Sequence, residues 1–237
     1  MEDQDSEFLR HEACPSCPSS DAFARYSDLH GYCFSCGYRE PPDSEPPATT
    51  TTTQSRSRIQ LEGEISAIPS RNLTEPSIKK FNVRFDFTSG VVRFPICDAS
   101  NQVIAYKERN EKKEFKQVGK NPDKRLFGQS LFGGGKTLVI TEGEWDCIST
   151  FQARPNWPVM SITSGCKGAK SQLSAQLKDL LKFKEIILLF DNDQPGQEAA
   201  QECASLFPPD QVFIATISGY KDASEALQAK DAEAIRQ

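Results

Sequence analysis

The sequence predicts two folded parts, a small β ribbon built around a metal and a larger α/β domain with a parallel sheet. Two Cys-x-x-Cys pairs, at 14–17 and 33–36, predict the ribbon. Two short apolar runs, 137–140 and 185–190, each end in carboxylates and lead into a helix-like pattern. Strand, acidic turn and helix in that order are typical of a parallel α/β sheet, whose ligands bind beyond the carboxyl ends of the strands.

The two cysteine pairs predict one structural zinc site. Thiolates from two such pairs close a tetrahedral site, and the fifteen residues between them suit a β ribbon. Two disulfides or a redox motif are the alternatives, but the polar start of the chain offers no export signal, and a redox motif would not occur twice at this spacing. Since residues 1–40 bury too small a core, we expect them to fold around zinc. The predicted ligands are Cys14, Cys17, Cys33 and Cys36.

Aromatic side chains in the ribbon can either pack its core or stack on unpaired bases. We assign Phe23 and Phe34 to the core and leave Tyr32 and Tyr38 open. His30 lies between the cysteine pairs, and four cysteines already complete a zinc site. It is therefore either a surface histidine or a contact to a base or a backbone.

Residues 41–58 have the composition of an extended, mobile linker. Four prolines and a run of threonines occur there without apolar periodicity. The linker predicts that the ribbon moves relative to the domain that follows.

Residues 59–136 predict an N-terminal subdomain with a hairpin followed by a basic segment. A capped short helix at 70–78 and a strand at 81–87 come first, and strands at 91–96 and 103–107 form the hairpin. From Ile104 to Lys136 there are nine Lys or Arg and four Asp or Glu, a local charge of +5 in a chain with net charge −5. Such a run is usually a solvated surface, but lysines also suit triphosphates and nucleic-acid backbones.

Residues 137–237 predict the parallel sheet and contain two acidic clusters. Glu142 follows the first apolar run, and Asp191 and Asp193 follow the second, where alternation lets both point to one side. Helix capping alone would explain either cluster. Two clusters on one rim favour a hard cation such as Mg²⁺, because unpaired carboxylates repel each other. Phosphoryl transfer is a usual chemistry of such sites.

The rest of this region predicts alternating helices and strands around a small glycine-containing loop at 163–168. The predicted helices are 147–151, 172–182, 197–207 and one that starts after 221, and the predicted strands are 159–162 and 212–215. The composition, with 37% hydrophobic and 26% charged residues, is that of a soluble globular protein. No apolar run is long enough to span a membrane.

The acidic motifs resemble those of the Toprim domain, which DnaG-type primases, topoisomerases, certain nucleases and a recombination mediator share. The matching residues are 141–146, 191–193, Lys221 and Asp222. Residues 93–98 and 103–106 resemble the segment that precedes Toprim in bacterial primases. The order of ribbon, linker, basic subdomain and Toprim is most similar to the primase half of the primase–helicases of short-tailed bacteriophages, as are residues 115–116 and 126–128. Residues 133–137 lack the spacing of a helicase phosphate-binding loop.

The resemblance implies a DNA primase that makes short RNA primers from ribonucleoside triphosphates on single-stranded DNA. It implies catalysis by Glu142, Asp191 and Asp193, and one or two Mg²⁺ ions held by these residues together with Asp146 and Asp222. It implies that Lys107, Lys113 and Lys116 bind nucleotide phosphates, and that His30 and Asp28 help to read the template. A replicative helicase and a DNA polymerase are the implied partners, in the cytoplasm of a bacterial host if the chain is phage-encoded.

Two other classes of function compete with the primase. A Toprim nuclease would use the same acids to cleave phosphodiesters, but it would not need the primase-like segment or a linked ribbon. A non-enzymatic recombination adaptor would bind DNA through the ribbon, but it would not be expected to keep the full set of acids.

Overall fold

The structure is a computed structural model that describes residues 6–41, 59–110, 112 and 114–237. The chain divides into two compact units, Met1–Ser55 and Arg56–Gln237. Apart from Pro41, the predicted linker lies outside the described residues, and so does Lys113.

The first unit is a four-stranded antiparallel sheet with very little core. Its strands follow chain order as β1 (Phe8–Glu12), β2 (Phe23–Tyr26), β3 (Gly31–Cys33) and β4 (Arg39–Glu40). The buried apolar cluster consists of Cys14, Phe23 and Cys33, with Cys17, Ala22 and Tyr38 packed against it. A core of this size cannot offset the entropy of folding without further stabilisation.

Phe23 is fully buried, as predicted, whereas the assignment of Phe34 to the core is wrong. Phe34 is 65% exposed. It follows Cys33 directly, and successive side chains of an extended chain point to opposite faces. Because the thiol of Cys33 faces the core, the ring of Phe34 faces solvent.

The second unit begins with a four-stranded antiparallel sheet. A 3-10 turn (Pro69–Arg71) and α1 (Glu75–Lys80) precede β5 (Arg84–Asp86), β6 (Val91–Cys97), β7 (Val103–Arg109) and β8 (Phe115–Gly119), and the strands pair in that order. The predicted hairpin is β6–β7, with Phe94 opposite Lys107. The strand predicted at 81–87 is shorter because Phe81 caps α1 and Asn82 adopts a positive φ of 52°. Strand β8 lies within the basic segment, where no strand was predicted.

The predicted parallel sheet is present and determines where the acids lie. Its strand order is β10 (Val159–Ser161), β9 (Gly135–Thr141), β11 (Phe183–Leu189) and β12 (Val212–Ile214), and all neighbours run parallel. Thr141 is opposite Leu189 in the register of β9 and β11. The chain therefore leaves both central strands at the same edge, which brings the segments after them together.

Helices cover both faces of this sheet. They are α2 (Glu144–Ala153), α3 (Cys166–Leu180), α4 (Gln194–Ala204), α5 (Ala223–Gln228) and α6 (Ala232–Arg236). One buried cluster joins α2, α5 and α6 to the antiparallel sheet, and a second lies under α3 and α4. The loop predicted at 163–168 is wrong in its second half, since Gly165 turns with a φ of 67° and α3 begins at the next residue. In the described part of the chain, no helix is long and apolar enough to cross a membrane.

Candidate active site and metal centres

The two acidic segments meet at the carboxyl edge of the parallel sheet. Glu142 follows β9, and Asp191 lies two residues beyond the end of β11. The amide of Asp191 lies 3.4 Å from Glu142 Oε2 and donates to it. The register of the two central strands thus converts separate sequence motifs into one site.

Three carboxylates converge at this edge. Asp146, Asp191 and Asp222 each offer an oxygen within 4.8 Å of the other two. Asp146 lies in the first turn of α2, and its Oδ1 accepts a 2.9 Å hydrogen bond from the amide of Ser224 in α5. Asp222 caps α5 by accepting from the amide of Glu225. The cluster therefore depends on the packing of α2 against α5 as well as on the sheet.

The protein holds two of these acids in an environment that opposes their ionisation. Burial, and then the charge of Asp222, raises the pKa of Asp146 well above its ordinary range. Burial also raises the pKa of Asp191, as does the charge of Glu142, although a hydrogen bond from Lys221 opposes the change. Crowded carboxylates with raised pKa values are expected where a cation is meant to neutralise them.

The donor set fits a hard divalent cation. Mg²⁺ prefers carboxylate oxygens at about 2.1 Å, so the oxygens that surround one ion lie about 3 to 4 Å apart. Three carboxylates within 4.8 Å of one another approach that spacing with little movement. Cation binding would also relieve the repulsion that burial of these acids creates.

Asp193 and Lys221 stand beside this cluster. Asp193 caps α4 through a 3.0 Å bond from the amide of Gly196, and this bond lowers the pKa of Asp193. Lys221 Nζ lies 2.9 Å from Asp191 Oδ2 and 3.2 Å from Asp193 Oδ2. Of the five predicted metal ligands, the structure gathers Asp146, Asp191 and Asp222, places Glu142 against the amide of Asp191, and engages Asp193 with α4 and Lys221.

Gly196 allows the loop after β11 to close tightly. A Cβ atom at this position would lie 2.3 Å from the carbonyl oxygen of Asp191, so any side chain would push the loop away from α4. The glycine thereby holds the Asp191 backbone against the start of α4.

The predicted phosphate-binding lysines differ in their surroundings. Lys107 donates to Glu144 Oε1 at 2.9 Å, and its Nζ lies 4.6 Å from the centre of the Phe115 ring. Lys116 is exposed on β8, opposite Glu108. The position of Lys113 lies outside the described residues.

Arg71 lies beside the acidic site and is a candidate functional residue that was not predicted from the sequence. Its guanidinium carbon lies 4.6 Å from the centre of the Trp145 ring, and its Nη1 donates to Ser224 Oγ at 3.1 Å. Burial, and then the charge of Arg109, lowers the pKa of Arg71. No local pattern identifies Arg71, because it lies in a segment that predicts only a short capped helix and it reaches the site through tertiary packing.

The four predicted cysteine ligands converge in the first unit. The Sγ atoms of Cys14, Cys17, Cys33 and Cys36 all lie within 4.8 Å of one another. The Cys14–Cys36 and Cys17–Cys33 Sγ distances are both 3.7 Å. A tetrahedral zinc–thiolate site with bonds of about 2.3 Å has edges of about 3.8 Å, whereas a disulfide is about 2.05 Å long. The cysteines therefore fit a tetrahedral metal and not two disulfides.

One of these thiols is readily ionised. Burial opposes ionisation of Cys33, but hydrogen bonds from the backbone of Cys36 and Ser35 outweigh it and lower the pKa of Cys33 to about 7. A thiolate is the form that binds a metal.

His30 lines a cavity in the first unit, and Asp28 contacts the His30 ring. Asp28 Oδ1 and His30 Nδ1 are 2.5 Å apart, and the His30 ring stacks on Tyr26 with centres 4.2 Å apart. The cavity, of about 700 Å³, is lined by aromatic and polar groups that include Tyr26, His30, Tyr32, Phe34 and Arg39. Tyr32, whose role the sequence left open, thus lines the cavity, whereas Tyr38 packs against the core.

The chain is similar to a Toprim-like family model and to proteins named as primases. Residues 139–227 match the family model described as Toprim-like. A DNA helicase/primase of Enterobacteria phage T3 is 30% identical over 94% of this chain and 42% of its own length. A DNA primase of Deinococcus radiodurans is 29% identical over 65% of this chain and 28% of its own length. The chain thus spans less than half the length of these curated relatives.

Among solved structures, the primase fragment of the bacteriophage T7 primase–helicase is similar to this chain. The TM-score is 0.70 at 27% identity, and the match covers 97% of this chain and 98% of the fragment. The chain therefore contains a Toprim-like region at 139–227 and, over nearly its whole length, is similar to the primase fragment of a phage primase–helicase.

Proposed function

We propose that this chain is a DNA primase that synthesises short RNA primers from ribonucleoside triphosphates on single-stranded DNA. The observation that carries the proposal is the convergence of Asp146, Asp191 and Asp222 at the carboxyl edge of a Toprim-like sheet. The similarity to phage and bacterial primases, and the separate four-cysteine unit, support primer synthesis over other Toprim chemistries.

Two metals fit this proposal. Asp146, Asp191 and Asp222, with Glu142 beside them, would hold one or two Mg²⁺ ions, and the four cysteines would hold one structural Zn²⁺. Bound Mg²⁺ would supply the positive charge that nucleotidyl transfer needs at the reacting phosphate.

The protein's own side chains would orient the substrates. Glu142, which follows β9, would act as a metal ligand or accept the proton of the attacking primer hydroxyl. Lys116 is exposed and free to approach the phosphates of the incoming nucleotide. Lys107 can do so only by giving up or sharing its ion pair with Glu144. Lys113 would bind the nucleotide phosphates together with Lys107 and Lys116.

The four-cysteine unit would help to select the template. Its cavity presents the aromatic rings of Tyr26, Tyr32 and Phe34 together with the polar groups of His30 and Arg39. Aromatic rings stack on unpaired bases, and Asp28 fixes the orientation of the His30 ring, which can then bond to a base edge.

A helicase and a DNA polymerase are the partners that we propose. The phage T3 relative is named a helicase/primase, and one similar structure contains the lagging-strand DNA polymerase of bacteriophage T7 with two primase domains on an RNA/DNA hybrid. That structure has a TM-score of 0.68 at 29% identity. Such partners would place the protein in the cytoplasm where DNA is copied.

A primer-synthesis assay tests the function. The zinc-loaded chain would be incubated with Mg²⁺, labelled ribonucleotides and a pool of single-stranded DNA templates. We expect short labelled RNAs on a subset of the templates, and none from the Glu142→Gln variant. Glu198→Gln is the matched control, since Glu198 is an exposed acid in α4 that bonds to Gln194.

The outcomes separate the three classes of function. Shortened templates without new RNA would identify a nuclease and overturn the proposal. Intact templates without RNA, with DNA binding equal in wild type and Glu142→Gln, would identify an adaptor. Repeating the assay with an added phage helicase would prevent a requirement for that partner from being mistaken for inactivity.

A further inference from the structure

Lys221 places a positive charge inside the acidic site. Its Nζ lies 2.9 Å from Asp191 Oδ2 and 3.2 Å from Asp193 Oδ2. Asp191 is also one of the three carboxylates that fit a divalent cation. A divalent ion bound at this cluster would therefore compete with Lys221 for the carboxylate of Asp191.

The backbone around Lys221 is fixed at this place. Its carbonyl accepts a 2.7 Å hydrogen bond from the amide of Asn192, which lies between the two aspartates in sequence. Its own amide donates to Glu225 Oε2 at 2.6 Å. The ammonium thus reaches Asp191 on a short tether, and it binds there without the loss of translational freedom that a free ion incurs.

The side chain of Lys221 is nevertheless weakly held. It is 52% exposed, whereas the side chain of Asp191 is 18% exposed. Because the ammonium is half exposed, it keeps part of its contact with water, and losing the ion pair costs the lysine little. A divalent ion carries twice the charge and can bind several of the carboxylates at once, so it can displace the ammonium when its concentration is sufficient.

We propose that Lys221 is a resident counter-cation, which stabilises the acidic site without metal and competes with the divalent ion for Asp191. The inference rests on the metal site of the proposed function. The consequence would be a threshold in the concentration of free divalent ion, because the site fills only when that ion outcompetes the ammonium group of Lys221. Lys221 is in this sense a positioning residue, which keeps Asp191 in place until metal arrives.

Manganese binding tests this inference without an activity assay. Mn²⁺ would be titrated into the zinc-loaded chain, and the free ion would be measured by electron paramagnetic resonance. We expect Lys221→Met to lower the Kd for Mn²⁺ about two- to fivefold, the size expected when one partly exposed ion pair is removed. Lys221→Arg keeps the charge and should retain a Kd close to that of wild type.

The matched control is Lys182→Met. Lys182 forms a 2.6 Å pair with Asp179 just before β11, whereas Asp191 follows the other end of that strand, and the Lys182 side chain is 53% exposed, close to the value for Lys221. This variant should leave the Kd unchanged. In addition, Lys221→Met should lower the melting temperature of the protein without Mn²⁺ and enlarge the rise that Mn²⁺ produces.

A Kd for Lys221→Met that is equal to or higher than that of wild type would overturn the inference. Tight binding by wild type with no change in the variant would leave the proposed metal site standing and remove only the role of Lys221. If the wild-type protein binds no Mn²⁺ while Zn²⁺ remains in place, both the metal site and the inference are wrong.

Discussion

Lys107 and Glu144 join the antiparallel sheet of the second unit to helix α2 through an ion pair that is largely shielded from solvent. Lys107 lies on β7 of the antiparallel sheet, Glu144 begins α2, and the Nζ–Oε1 distance is 2.9 Å. Their side chains are 19% and 5% exposed. Lys107, for which the family resemblance implies phosphate binding, thus also has a structural partner in Glu144.

Breaking this pair should destabilise the protein. Lys107→Met leaves the Glu144 carboxylate buried without its partner, so we expect the free energy of unfolding to fall by about 2–3 kcal/mol. The double variant Lys107→Met, Glu144→Gln should recover much of that loss because no charge remains buried. Urea unfolding of wild type, of the single variants Lys107→Met and Glu144→Gln, and of the double variant measures the coupling between the two residues. Equal stability of Lys107→Met and wild type would show that the lysine serves only the substrate.

Removal of the four-cysteine metal should unfold the first unit and leave the second intact. The apolar core of the first unit consists of little more than Cys14, Phe23 and Cys33, so a metal bound by the four cysteines would supply the missing folding energy. Cys33→Ser should abolish zinc binding, as measured by metal analysis, and collapse the amide spectrum of residues 6–41 alone. Cys203→Ala, which alters a buried cysteine of α4, should retain one zinc per chain. Loss of the whole spectrum in Cys33→Ser would contradict this prediction.

Asp191 and Asp193 should contribute unequally to activity. Asp191 belongs to the three-carboxylate cluster, so Asp191→Asn should lower primer synthesis at least about 100-fold. Asp193 caps α4, and asparagine is also a good cap, so Asp193→Asn should cost about tenfold with little loss of stability. Initial rates at saturating Mg²⁺, compared with melting temperatures, make the distinction. A larger loss from Asp193→Asn would assign the metal to the other side of the loop.

The acidic cluster should make the metal-free protein less stable as pH rises. The pKa of Asp146 is raised above its ordinary value near 3.8, so the folded protein holds this proton more tightly than the unfolded chain does. Ionisation therefore costs stability, and the cost grows as pH rises through the folded pKa. Asp146→Asn should increase the free energy of unfolding by about 1–2 kcal/mol at about pH 8 without Mg²⁺, and by less at about pH 5. If the stabilisation by Asp146→Asn instead grew toward low pH, the predicted direction of the pH dependence would be wrong.

His30 should affect the choice of template more than the extension of a primer. Its ring is paired with Asp28 and stacked on Tyr26 at the cavity of the first unit. His30→Ala should change which templates from a mixed pool yield primers, while extension of a supplied oligoribonucleotide stays within about twofold of wild type. His11→Ala alters the other histidine of the chain and is the control. An equal fall in both reactions would indicate that His30 acts on folding.

Local patterns of the sequence were sufficient for the parallel sheet, the hairpin and the cysteine cluster. The alternation of apolar runs and acidic turns identifies β9 and β11, and the pairs at 14–17 and 33–36 place four sulfurs within reach of one ion. Each of these depends on residues that are close in sequence or on the register of adjacent strands. The exposed Phe34 was missed because the position of its neighbour Cys33 in the core, and not its own hydrophobicity, decides where it points.

The sequence by itself determined the types of side chain present and the elements that carry them, whereas the tertiary structure decided which of them meet. Asp146 accepts from Ser224, 78 residues away, and this contact exists only because α2 packs against α5. The same packing brings Arg71 to Trp145, and the register of the sheet brings Lys221 to Asp191. No local periodicity encodes such contacts. They follow from the burial of apolar faces, which positions the carboxylates and cations at the rim.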